Sequence, residues 1–180
     1  MDIESATARA RRNGREVLRD SYGMSGLPTR LPDGEVERNG DLAGTLVTVI
    51  IPAFNAAQTI ASTLSSVFAQ THRALEVLVV DDGSTDATAH IVAGIALAEP
   101  RLRLIRQANS GVAKARNAGL KQAHGRYVAW LDADDLWHAT KIEKQIARFA
   151  MSPTPLTFVY TGYRLIDPAD RIIANHRTLV

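Results

Sequence analysis

From residue 46 onward, short apolar runs rich in β-branched residues alternate with longer segments whose apolar side chains recur every three or four positions. Few architectures accommodate that alternation. Residues 46–51 (LVTVII) are almost wholly apolar, as a parallel strand covered on both faces must be. Pro52 closes the run, and residues 57–70 then place Ile60, Leu64, Val67 and Phe68 on one helical face. The unit repeats: strands are expected over 75–80, 102–105 and 127–131, and helices over 86–98, 111–123 and 139–150. Two further strands are expected near 158–166 and 171–174. The alternation predicts an α/β fold with a mostly parallel, doubly wound sheet flanked by helices. In such a sheet ligands sit beyond the carboxyl ends of the strands, so the polar residues there carry the functional reading.

Residues 1–44 differ in composition, being rich in Arg, Gly, Asp and Glu and poor in large apolar side chains. Arg9, Arg11, Arg12, Arg15 and Arg19 form a basic segment that is either a mobile arm or a contact for an anionic membrane or partner. Several Gly and Pro residues over 23–44 read as linker, leaving 45–180 as the folded domain. The 180 residues suffice for one ordinary core. The absence of cysteine removes disulfides, thiolate metal sites and thiol nucleophiles, so any metal must be held by oxygen or imidazole. A formal charge of +2 does not argue for nucleic acid. No apolar run approaches the roughly 20 residues of a spanning helix, and no signal-peptide core is present, which suggests a cytoplasmic protein.

Three polar clusters occupy the strand ends. Pro52, Ala53, Phe54 and Asn55 turn the chain after the first strand; by itself this reads as an Asn helping to cap a helix. Asp81-Asp82-Gly83-Ser84-Thr85-Asp86 follows the second strand. Gly83 permits the turn, and Ser84 or Thr85 with Asp86 can cap the helix. Two adjacent acids need a further reason, and a fixed Asp82 carboxylate can accept the imide N–H of a pyrimidine base. Asp132-Ala133-Asp134-Asp135 follows the fourth strand. Three carboxylates within four residues repel one another, which a hard cation such as Mg²⁺ or Mn²⁺ would relieve. The plainer alternative is a solvated acidic turn with Asp135 capping the next helix.

In order and spacing these clusters resemble glycosyltransferase family 2, inverting enzymes of the GT-A fold. The similarity spans Val47 to about Phe149. It rests on VTVIIPAFN with Pro52 and Asn55, on Val80-Asp81-Asp82-Gly83-Ser84-Thr85-Asp86, and on Asn109-Ser110-Gly111 through Ala115-Arg116-Asn117-Ala118-Gly119. It ends with Asp132-Ala133-Asp134 and the helix beginning near Lys141. The resemblance implies a Rossmann-like domain that binds a nucleotide-diphosphate sugar, UDP-linked by preference, and transfers the sugar to an acceptor hydroxyl with inversion. Carried over residue by residue, Asp82 binds the base and Pro52, Ala53 and Asn55 border its pocket. Asp132 and Ala133 meet the ribose, Asp134 ligates Mn²⁺ or Mg²⁺, Gly111 admits a close backbone approach, and Lys114 and Arg116 pair with base or phosphate.

Two departures matter. Ala139 stands where many relatives carry Pro, and the family's catalytic base lies well beyond this segment, so it is expected beyond Val180. Asp167 and Asp170 read as turn residues between the last two strands, and no spacing supports His124, His138 or His176 in proton transfer. The chain is therefore expected to carry the donor half of the reaction, with a glycan or lipid-linked acceptor bound elsewhere, at the inner face of the membrane in one reading. The alternative is a donor-binding module without turnover.

Overall fold

The computed structural model describes residues 44–153, 156–167 and 171–176, all within the unit Arg38–Val180. The basic arm and linker expected over 1–44 lie outside the described residues except for Gly44, as does Asp170.

Four strands, β1 (Val47–Ala53), β2 (Leu75–Asp81), β3 (Leu102–Arg106) and β4 (Tyr127–Trp130), alternate with α1 (Ile60–Phe68), α2 (Thr88–Ala96), α3 (Val112–Leu120) and α4 (Lys141–Met151). The strands form one sheet in the order β3-β2-β1-β4, with every pairing parallel. All seven residues of β1 are buried, which explains its unbroken apolar run: the strand faces helices on both sides. Val47, Val49, Ile51 and Ala53 meet Ile60, Leu64 and Val67 of α1, Val92 of α2, and Ile142 and Ile146 of α4. On the opposite face Ile50, Leu78 and Val80 meet Ala115 of α3. That helix lies very close to the sheet. A Cβ on Gly119 would fall 2.5 Å from Cγ2 of Ile50 and 3.2 Å from Cγ2 of Val80, so only glycine fits.

The helices are shorter than their periodicity suggests, since residues at their ends close turns instead. The Thr59 N–H donates to the Ala56 carbonyl three residues back, a tight turn that precedes the first regular residue of α1, Ile60. The last two strands require a larger correction. Strand structure is confined to β5 (Tyr163–Ile166) and β6 (Ile172–His176), which pair antiparallel in a sheet of their own. The link between them, residues 167–171, is too short for the crossover of about a dozen residues that parallel neighbours need. Asp167 acts as a turn residue, as expected: its N–H donates to the Arg171 carbonyl, and its carboxylate accepts from the Arg171 N–H at 2.9 Å and Nε at 2.7 Å.

Candidate functional site

Strand β1 is the switch point of the sheet, because the chain moves from it to β2 and β3 on one side and returns to β4 on the other. Side chains beyond the carboxyl ends of β1 and β4 therefore diverge and leave a crevice. A cleft of about 630 Å³ opens there. It is bordered by Pro52, Ala53, Phe54 and Asn55 after β1, by Asp82 and Asp86 after β2, by Val112, Ala115 and Arg116 of α3, and by Asp132, Ala133 and Asp134 after β4. Three clusters far apart in sequence thus meet at one sheet edge, and Asp82 shares a cavity with Asp134. Gly111 and Lys114 are not part of the cleft wall.

The first two turns are locked together. Asn55 adopts φ 50°, a left-handed conformation that Asn tolerates better than most residues. Its Oδ1 accepts the N–H of Thr85 at 2.8 Å, and its own N–H donates to Oγ of Ser84 at 3.0 Å. Asn55 therefore joins two loops and does not cap α1. Asp86 reaches in both directions: Oδ2 accepts the N–H of Ala57 at 3.0 Å, while Oδ1 accepts both the N–H of Thr88, at 2.9 Å, and its hydroxyl. The Thr88 hydroxyl bond leads the interactions that hold the Asp86 carboxyl below its usual range.

Asp82 is only 4% exposed and fixes the loop that enters α3. Its Oδ1 accepts from Nε2 of Gln107 at 2.7 Å and from the N–H of Ser110 at 2.9 Å, and its Oδ2 accepts the N–H of Gly111 at 2.8 Å. Burial alone would raise this carboxyl. The bonds from Gln107, Ser110 and Gly111, with the charge of Lys114, outweigh it and hold the group below the ordinary carboxylate value. Gly111 takes φ +89° in presenting that N–H, and space for a Cβ is open, so its backbone conformation is what calls for glycine. A carboxylate offers about four acceptor sites, and the three protein donors leave room for one more. Neither Gln107 nor Ser110 was expected in this role; a lone Gln after a strand carries no signal until the loop is folded.

The acidic loop after β4 concentrates negative charge. Nη2 of Arg116 donates to Oδ1 of Asp132 at 2.7 Å, so two residues expected to meet substrate meet each other. The Nε of Arg116 is buried and has no hydrogen-bond partner among the described residues. Asp134 is exposed and accepts no hydrogen bond among the described residues. The carboxyl of Asp135 is raised by burial and then by the charges of Asp134 and Asp132. It does not cap α4, which begins at Lys141. Burial lowers the Lys141 ammonium to about 8, although the Trp137 ring 4.4 Å away favours the charged form. Among the described residues no group of three or more His, Asp or Glu side chains converges as a ready cation cage. The donor set still suits a hard divalent ion held by one or two carboxylates and by substrate phosphates, the usual mode for Mg²⁺.

The histidines lie elsewhere. Nδ1 of His124 sits 2.7 Å from Oε1 of Glu76, near the amino end of β2 and so at the far edge of the sheet from the cleft. His138 contacts Oγ1 of Thr140, and the side chain of His176 is outside the described residues. No helix among the described residues is long and apolar enough to cross a membrane.

Comparison with known proteins agrees with this architecture. Residues 48–168 match the model of glycosyl transferase family 2. The chain is 42% identical over 133 residues to TuaG of Bacillus subtilis, a glycosyltransferase assigned to teichuronic acid biosynthesis, with 71% of this chain and 52% of that protein covered. It is 41% identical over 123 residues to WfgD of Escherichia coli, a UDP-Glc:alpha-D-GlcNAc-diphosphoundecaprenol beta-1,3-glucosyltransferase, covering 68% of this chain and 47% of WfgD. The chain thus spans about half the length of these relatives. Among solved structures, S. aureus TarS 1–349 in complex with UDP superposes with a TM-score of 0.55 at 27% identity, covering 70% of this chain and 43% of that one. The mannosyltransferase PcManGT from Pyrobaculum calidifontis, in complex with GDP-Man and Mn2+, gives 0.56 at 32% identity, covering 70% and 37%. A parallel sheet in the order β3-β2-β1-β4, a cleft at its switch point and a family match over most of the chain lead to one conclusion: this protein belongs to glycosyl transferase family 2 and has the Rossmann-like GT-A fold.

Proposed function

We propose that the cleft binds a nucleotide-diphosphate sugar, UDP-linked by preference, and that the protein transfers its sugar to an acceptor hydroxyl with inversion, aided by Mn²⁺ or Mg²⁺. The observation that carries this reading is the presence of Asp82 and Asp134 in the wall of one cleft at the switch point. The complexes of TarS with UDP and of PcManGT with GDP-Man and Mn2+ support it.

Each residue has a task in this scheme. The free acceptor site of Asp82 takes the N–H of the base, over the turn formed by Pro52, Ala53 and Asn55. Asp132 and Ala133 meet the ribose. Arg116, whose Nη2 already meets Asp132 at the cleft, lends part of its charge to phosphate, and Lys114 supports the same negative charge from beside Asp82. Gly111 keeps the entry to α3 in the conformation that orients Asp82. Asp134 would hold the cation, with Asp132 beside it. Asp82, Asp86, Asp132 and Asp134 face the cleft with one guanidinium, a balance that would repel a bare diphosphate. A divalent ion held there would supply the positive charge that offsets the diphosphate.

The acceptor base has no candidate among the described residues, so catalysis by residues 45–180 alone is a separate question from donor binding. A lipid-linked acceptor at the inner membrane face fits the diphosphoundecaprenol-linked acceptor of WfgD. Titration calorimetry of UDP with and without Mn²⁺ tests the reading. Asp134→Ala should weaken Mn²⁺-dependent binding at least about tenfold, equivalent to about 1.4 kcal/mol, with the melting temperature unchanged. Equal binding by the variant and the wild type would refute the assignment. Tight binding with neither sugar transfer nor donor hydrolysis would favour the second reading, a donor-binding module.

A further inference from the structure

The loop over residues 131–140 carries the cleft acids yet has no regular secondary structure, so partners outside it must fix its shape. Besides Arg116, which bonds Asp132, those partners come from α1 and the residues just past it. Oγ1 of Thr63 donates to the Ala133 carbonyl at 2.9 Å. Oγ of Ser66 accepts the N–H of Trp137 at 3.1 Å. Just past the helix, Nε2 of Gln70 donates to the His138 carbonyl at 2.9 Å, and its Oε1 accepts the N–H of Ile142 at 3.1 Å. The N–H of Thr71 completes the series on the Ala139 carbonyl at 2.8 Å.

Thr63, Ser66 and Gln70 follow at i, i+3 and i+7, along one side of the helix. Thr63 and Gln70 are fully buried, Thr63 on the same face as the core residues Ile60, Leu64 and Val67. A buried hydroxyl or amide is costly unless it is hydrogen-bonded, and an aliphatic side chain would fill the same space without that cost. These polar groups thus have a use beyond core packing. Ala133 stands between Asp132 and Asp134, so pinning its carbonyl sets where both carboxylates leave the backbone. Neither Thr63 nor Gln70 borders the cleft.

We infer that Thr63, Ser66 and Gln70 are positioning residues that hold the acidic loop in the geometry needed for cation-dependent diphosphate binding. This inference rests on the donor-site reading above. Thr63→Val keeps the volume but removes the donor to Ala133, while Thr63→Ser retains it. Hydrogen exchange of the ligand-free protein and calorimetry with UDP plus Mn²⁺, and with uridine alone, form the test. Thr63→Val should exchange faster over residues 132–138, bind UDP with Mn²⁺ about tenfold more weakly, and bind uridine as the wild type does; Thr63→Ser should match the wild type throughout. Faster exchange with unaltered UDP affinity would overturn the inference, as would unaltered exchange. If wild-type UDP binding ignores Mn²⁺, the donor-site reading itself fails and takes this inference with it. Should Thr63→Val fold poorly, Ser66→Ala removes the acceptor for Trp137 on a partly exposed helical position and is expected to give the same split between UDP and uridine.

Discussion

Asp82 serves the fold and the proposed ligand through the same two oxygens, and the consequences of changing it follow from counting donors. Gln107, Ser110 and Gly111 all donate to it. Asparagine would turn one acceptor into a donor and set it against N–H groups that cannot reverse. Asp82→Asn should therefore cost stability, about 1–3 kcal/mol, as well as affinity for uridine nucleotides, and chemical denaturation beside calorimetry measures both. A stability matching the wild type would show that the three bonds contribute little. The acid limb is a second check. The folded carboxyl lies below its unfolded value of about 3.9, so the unfolded chain takes up the proton first as pH falls. The stabilisation is complete above about pH 4 and is lost as pH drops through the folded value. Melting temperatures between pH 3 and 6 should decline less steeply in Asp82→Asn than in the wild type. That Asp82 sits at the carboxyl end of a strand, where the cleft opens, is legible from two acids after an apolar run. Its partners are not, because they come from a loop 25 to 29 residues away that only the fold brings near.

Among the elements, α3 shows how a motif can be read for chemistry while part of it serves packing. In the segment Ala115 to Gly119, Arg116 faces the cleft, whereas Ala115 and Gly119 are small because the helix lies against Ile50 and Val80. Gly119→Ala places a methyl where Ile50 already is. Although alanine is the better helix former, the overpacking should dominate and destabilise the protein by about 1–3 kcal/mol, lowering the midpoint of urea unfolding with little change in slope. A midpoint at or above that of the wild type would mean that α3 can shift outward freely. Elements whose own residues carry their periodicity were legible: β1, β2 and the helices after them fall within a few residues of expectation. The β5–β6 pair was legible as two strands joined by a turn at Asp167, but neither the start of β5 at Tyr163 nor its antiparallel pairing apart from the main sheet was. Runs such as 163–166 look alike whether a strand joins a parallel sheet or folds back on its neighbour, and the antiparallel choice is made by the turn that Asp167 and Arg171 close. The polar side of α1 was equally hidden, since Thr63 and Ser66 look like ordinary helix residues until the loop they hold is in place.

At the scale of the molecule, the strand order converts local clusters into one site. Successive strands β1, β2 and β3 lie side by side, and β4 returns to the far side of β1. The three clusters consequently close around a shared cleft, which alternation alone foretells only as a general rule for such sheets. A ligand seated there would touch the turn after β1, the turn after β2, the entry to α3 and the loop after β4 at once. Binding to a site built from four segments should protect all four together, because each is tied to another: Asn55 to Thr85, Asp82 to Gly111, Arg116 to Asp132. UDP with Mn²⁺ at about one hundred times its dissociation constant adds about 2.7 kcal/mol, or roughly 5–10 °C in melting temperature for a domain of this size. Either component alone should give much less, since the acidic wall disfavours the diphosphate and the cation lacks its phosphate ligands. Hydrogen exchange should then slow together at residues 53–57, 82–88, 107–116 and 131–138, while the β5–β6 hairpin is unaffected. Protection confined to one of these segments would mean that the ligand binds a single loop, and the cleft would lose its claim to be the donor site.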